Sequence, residues 1–168
     1  MTTVWYLALQ SPDQLRAKNW PANVAVRFAE AELKTGELNR YFYESVGRAW
    51  QWQDADDWPL SRWQTHTERP ELRLWILWIS GSPAGYVEME RQPDGSVEFI
   101  SFGLTPPFLG QGLGSALLSE AVKVAFAWTD DNGRIPTRIW LTTCSDDHPN
   151  ARANYEARGF ELFKTEIE

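Results

Sequence analysis

Apolar residues change their spacing along the chain, and each change marks an element. Residues 3–9 (TVWYLAL) and 24–31 (VAVRFAEA) have strand composition, the second with Val24, Val26 and Phe28 at alternate positions. From about Glu37 the period lengthens: Leu38, Phe42, Val46 and Trp50 recur every fourth residue, which predicts a helix through GELNRYFYESVGRAWQW. A shorter helix is expected in WPLSRWQTHTERP, stopped before Pro70 because a residue ahead of proline is pushed out of the α region. Three apolar runs follow at 72–80, 84–92 and 96–104. The segments between them, GSP and PDG, carry the residues that tight reversals need, so antiparallel hairpins are predicted. QGLGSALLSEAVKVAFAW then puts Leu113, Leu117, Ala121, Val124 and Trp128 on one helical face. A strand at 137–144, a short helix at 148–160 closed by Gly159 and a last strand at 161–168 complete the pattern. The order predicts an α/β (α+β) fold, a mixed sheet that is antiparallel at first and has a late crossover, flanked by helices.

Composition narrows the class. A length of 168 residues suits a single domain with a real core, spanning 1–168. The net charge of −7 argues against a nucleic-acid partner, whose phosphates demand a basic surface. One cysteine, Cys144, excludes an internal disulfide framework and a cysteine-rich zinc site, and no metal-ligand constellation is present. The opening residues have no basic leader and an apolar run too short for a signal peptide or a membrane span, so a cytoplasmic protein, monomeric or homodimeric, is expected. Cys144 and His148 invite a thiol–imidazole reading, but no third, orienting group is near them in sequence, and a structural cysteine is the simpler account. His66 has no evident partner. The ten tryptophans are unusual, six of them before residue 70; such a cluster fills a core or lines a pocket.

The segment FLGQGLGSALL carries the sharpest chemical signal. Gly110, Gly112 and Gly114 lie between a strand and a helix, where first-turn amides are unpaired and the helix dipole favours an anion. Glycines there let backbone approach phosphate oxygens. The G-x-G-x-G spacing after hairpins does not fit a dinucleotide fingerprint, and no lysine follows as a triphosphate P-loop requires. A turn that merely packs helix against strand is the plainer alternative.

Together, residues 85–160 resemble the GCN5-related N-acetyltransferases. LTPPFLGQGLGSALL is similar to that family's V-x-P-x-[YF]-[RQ]-x-x-G-x-[GA]-x-x-L loop, with Leu104, Pro106, Phe108, Gly112, Gly114 and Leu117 in register and Leu109 where Arg or Gln is usual. HPNARANYEARGF resembles the later motif N-x-x-A-x-x-x-Y-x-x-x-G-F through Ala151, Tyr155, Gly159 and Phe160, with His148 at the usual asparagine position and Asn150 two residues on. The resemblance implies the family's mixed, mostly antiparallel sheet. It also implies acetyl transfer from acetyl-coenzyme A (acetyl-CoA), without a metal, to a primary amine of a small molecule or peptide in a ternary complex. It divides the chain into an acceptor-side helical region at 37–69, a cofactor strand, loop and helix at 96–128, and a C-terminal motif at 137–168.

On this resemblance Phe102, Gly103, Leu104, Leu109, Gly110, Gln111, Gly112, Leu113, Gly114, Ser115, Asn150 and Tyr155 would bind the cofactor. Tyr155 would also be the general acid toward the departing thiolate. Glu98 is the expected base: six residues before Leu104, it shares that residue's face by strand alternation. Glu88 and Glu90 are further carboxylates on the preceding strand. Trp50, Trp52 and Glu88 are expected on the acceptor side, where aromatic faces near Asp54, Asp56 and Asp57 suit a cationic or aromatic amine. Two other classes stay open: an acyl-CoA binding or sensing domain without turnover, and an interaction module that binds no coenzyme A.

Overall fold

Thr35 starts the first helix, its Oγ1 accepting from the Leu38 N–H, and α1 (Gly36–Gly47) follows the fourfold stripe. The computed structural model, which describes residues Met1–Glu168, ends that helix before the stripe runs out. Gly47 lies under the Trp52 side chain so closely that an added Cβ would stand 2.5 Å from a ring carbon. A short 3-10 turn (Arg48–Trp50) and Gln51 in left-handed conformation, φ 60°, fold the chain back and bring Trp52 over that glycine. α2 (Leu60–Thr67) then packs on α1, again through a glycine: a Cβ on Gly36 would meet the Gln64 backbone nitrogen at 2.5 Å.

The strands are β1 (Thr3–Leu9), β2 (Val26–Glu30), β3 (Leu72–Ile79), β4 (Ser82–Arg91), β5 (Val97–Leu104), β6 (Ile139–Cys144) and β7 (Glu161–Ile167). They form one sheet in the order β2-β3-β4-β5-β6-β1-β7. Every neighbouring pair is antiparallel except β5 and β6, which are parallel and joined through α3 (Leu113–Phe126). The predicted meander and crossover are therefore present. β1 lies between β6 and β7, a position that a hydrophobic pattern does not specify, since strand composition names no partner.

Helices cover the two faces unequally. On one face Leu118 and Val122 of α3 and Tyr155 of α4 (Ala151–Ala157) pack with Val87, Met89, Val97 and Phe99. On the other, Phe42 and Val46 of α1 cover Leu72, Leu74, Ile76 and Tyr86. These two layers bury the sheet's centre and leave its middle strands to build the site.

Two irregularities in β5 open that site. Glu88 pairs with Ser101 and Met89 with Phe99, so Ile100 is an extra, unpaired residue, a β-bulge. Past it, β5 and β6 part: they pair only from Val97 to Phe99 and from Ile139 to Leu141. The bulge also overturns the expectation for Glu98. One inserted residue shifts the alternation by one, so Leu104 points to the α3 side while Glu98, paired with Glu90, lies on the opposite side with Glu88.

Candidate active site

The gap between β5 and β6 divides into two adjoining cavities. The narrower, about 240 Å³, runs between the start of α3 and α4. Its wall includes Phe102, Gly103, Leu104, Leu109, Gly110 and Gly112, and continues through Leu113, Gly114, Ser115, Asn150 and Tyr155. Of the residues expected to bind the cofactor, only Gln111 is absent from this wall; its amide donates instead to the Pro107 carbonyl at 3.0 Å.

The loop has the geometry of an anion cradle. Gly110 and Gly112 take φ values of 74° and 76°, which an L side chain adopts only with strain, and Gly112 is the N-cap of α3. The backbone N–H groups of Gly110, Gln111, Gly112, Leu113, Gly114 and Ser115 donate to no protein acceptor. Successive free amides at a helix N-terminus fit a phosphate group. Ser115 Oγ donates to Asn154 Oδ1 at 2.7 Å and ties α3 to α4 across the groove. The residues present thus fit a coenzyme A pyrophosphate through backbone alone, without the side chain that Leu109 replaces.

The wider cavity, about 460 Å³, lies toward α1 and α2. It shares Trp50, Trp52, Phe102, Asp147 and Tyr155 with the narrower one. Tyr155 is therefore at the junction. Its ring is buried, its hydroxyl makes no hydrogen bond to protein, and burial together with the Asp147 carboxylate pushes the phenol well above its ordinary range. It keeps its proton at neutral pH. Asp147, which the sequence did not single out, is held by the Thr143 hydroxyl at 2.8 Å and the His148 N–H at 3.0 Å. The Trp50 and His148 rings meet edge to face, centroids 4.7 Å apart, linking the turn after α1 to the segment before α4.

Glu88 lines the wide cavity, 2% exposed, and here the sequence reading of His66 needs correction. His66 Nε2 pairs with Glu88 Oε1, and Asn39 Nδ2 donates to the same oxygen at 3.4 Å. Arg69 Nη2 approaches His66 Nδ1 at 3.3 Å. A guanidinium only donates, so Nδ1 accepts, and the ring's proton is on Nε2, donated to Glu88. Arg69 is itself held by Glu90 at 2.6 Å. A partner 22 residues away on another element leaves no local signal; the pair forms only where the fold brings α2 beside β4.

Glu98 lines neither cavity. Gln92 Nε2 donates to it at 3.0 Å, and burial, with the Glu90 and Glu88 carboxylates adding to it, raises its pKa from 4.5 to about 7. A carboxyl with a raised folded pKa favours the fold while protonated. That contribution is complete below about pH 4.5 and disappears as pH rises through about 7. Glu98→Gln should therefore flatten the stability profile and gain about 1–2 kcal/mol over the wild type at pH 8, after discounting for solvent screening of a half-buried group. Urea denaturation of both proteins at pH 5 and pH 8 measures it, and parallel profiles would refute it.

With this geometry in place, relatives give it a family. The profile of the Acetyltransferase (GNAT) family matches residues 35–160, three quarters of the chain and every residue on the walls of the two cavities except Val4. The chain belongs to the GNAT acetyltransferase family. Among solved structures, a GCN5-related N-acetyltransferase from Kribbella flavida has a TM-score of 0.64 at 23% identity, covering 97% of this chain and 55% of its own. Another from Sphaerobacter thermophilus has a TM-score of 0.66 at 22% identity, covering 98% and 49%. An aminoglycoside acetyltransferase from an uncultured soil metagenomic sample has a TM-score of 0.59 at 14% identity, covering 86% and 98%. At these identities the likeness is one of fold. This GNAT chain spans about half the length of the first two structures. No curated protein matches it in sequence. No helix of the GNAT chain is long and apolar enough to cross a membrane.

Proposed function

We propose that the chain transfers an acetyl group from acetyl-CoA to a primary amine, directly, with both substrates bound. The observation that carries this reading is the junction: a groove with unpaired helix-start amides meets an acid-lined cavity at a protonated, unpartnered tyrosine. Acetyl-CoA supplies the activated acyl group. The amides of Gly110 to Ser115 hold its diphosphate, and Phe102, Gly103 and Leu104 offer it a strand edge that β6 leaves unpaired. Tyr155 holds a proton for the departing sulfur.

For the base, the geometry supports Glu88 over Glu98. Glu88 lies in the wide cavity, one carboxylate oxygen is fixed by His66 and Asn39, and the other is left to take a proton from an ammonium. Trp50 and Trp52, on the walls of both cavities, hold the acceptor between the two functional groups.

Calorimetric titration with acetyl-CoA tests the cofactor half of this reading. One-to-one binding is expected, and absence of heat would remove it. Leu109→Arg should tighten that binding by no more than about threefold, since one added exposed cation contributes under about 1 kcal/mol. A gain of a hundredfold would mean that the backbone cradle is not the main anchor.

A further inference from the structure

Resting on the amine-acetylation reading, the geometry points to an acceptor class: an aryl-alkylammonium, a flat aromatic body carrying one cationic amine and no acidic group. The wide cavity has a continuous aromatic wall. Trp52 meets Tyr43 at 5.6 Å between ring centroids, Tyr43 meets Trp63 at 5.3 Å, Trp63 meets Trp58 at 5.0 Å and Trp58 meets His66 at 5.3 Å. The ladder runs from the junction with the cofactor groove to the Glu88 end.

Charge decides what the wall accepts. Asp54, Glu88, Asp146 and Asp147 line this cavity and no lysine or arginine does. The polar partners of three of them include no lysine or arginine: His66 and Asn39 on Glu88, Thr2 on Asp146, and Thr143 with the His148 amide on Asp147. No lysine or arginine therefore cancels the negative charge of these carboxylates. A cation is attracted both by the carboxylates and by ring faces, while a ligand carboxylate would meet like charges with no donor cation to receive it. The long aromatic wall favours a ring over an aliphatic polyamine, whose chain offers it no π face.

Tryptamine, tryptophan and spermidine separate these contributions, because the first two differ only in a carboxylate and the third, a triamine, carries more positive charge but no ring. Each is titrated into the protein saturated with coenzyme A. Tryptamine should bind at least about tenfold tighter than either of the others, and Trp58→Leu, at a ring that lines the wide cavity and not the cofactor groove, should lower its affinity by about tenfold while coenzyme A binding stays in place. Tryptophan or spermidine binding as tightly as tryptamine overturns the acceptor class, as does failure of all three to bind the coenzyme A complex. Failure of coenzyme A itself to bind is a different outcome, which removes the acetylation reading and this inference with it.

Discussion

Tyr155→Phe is expected to lower kcat by about 10²–10⁴-fold while leaving acetyl-CoA affinity and thermal stability near those of the wild type. The substitution removes one oxygen. That oxygen makes no hydrogen bond within the protein, so the fold loses no internal bond. The ring keeps its neighbours, with Phe102 and Phe160 at centroid distances of 6.1 and 6.0 Å. Burial and Asp147 keep the phenol protonated across the neutral range, so the hydroxyl is present as a donor at working pH. A thiol leaving without that proton must leave as a thiolate in a partly buried groove, which is the cost the variant should reveal. Steady-state kinetics beside calorimetry separate the roles: a residue that only binds would raise KM, whereas a proton donor lowers kcat. A variant with kcat within about threefold of wild type would show that another group or solvent supplies the proton.

Much of this site was readable in sequence because its parts are local. The glycine loop is contiguous, its free backbone amides follow from being at a helix start, and the family resemblance carried by its motif named nearly all of the residues that line the narrow cavity. Tyr155 is placed by one helical turn from Ala151 and by the glycine that ends α4. The acceptor side is assembled from distant segments instead. Trp50 and Trp52 could be named from their density, but the pairing of His66 with Glu88 joins α2 to β4 across 22 residues of sequence, and Asp147 becomes relevant only because β6 diverges from β5. Glu98 shows the limit most directly. Counting by twos assumes an unbroken ladder, and a single unpaired residue, Ile100, moves Glu98 to the other face. The same bulge sends Ile100, Ser101 and Phe102 to the cavity wall, so the irregularity that defeated the count also builds the site.

Gly159→Ala should destabilise the protein by about 3 kcal/mol or more, equivalent to a fall of roughly 6–12 °C in Tm for a chain of this size. Gly159 follows the end of α4 at φ 105°, outside the conformations an alanine adopts without strain. Its N–H donates to the Glu156 carbonyl at 3.0 Å and the next N–H, of Phe160, donates to the Tyr155 carbonyl at 3.1 Å, the two bonds that close a helix in a Schellman turn. Space is as restrictive as conformation. An added Cβ would overlap the Gln14 carbonyl oxygen and stand 3.1 Å from the carbon that bears it, and that segment is itself held by the Arg16 N–H donating to the Arg158 carbonyl at 2.8 Å. Backbone must therefore move on one side or the other, and the carbonyl of the catalytic candidate Tyr155 is part of what moves. Gly110→Ala carries the first factor without the second. Its φ of 74° imposes conformational strain, but nothing lies within 4 Å of the added carbon, so a loss of only about 1–2 kcal/mol is expected. Thermal and urea denaturation of the two variants should thus differ by the cost of the collision alone. Equal losses would mean that the chain near Gln14 gives way freely and that α4 is not clamped against the segment after β1.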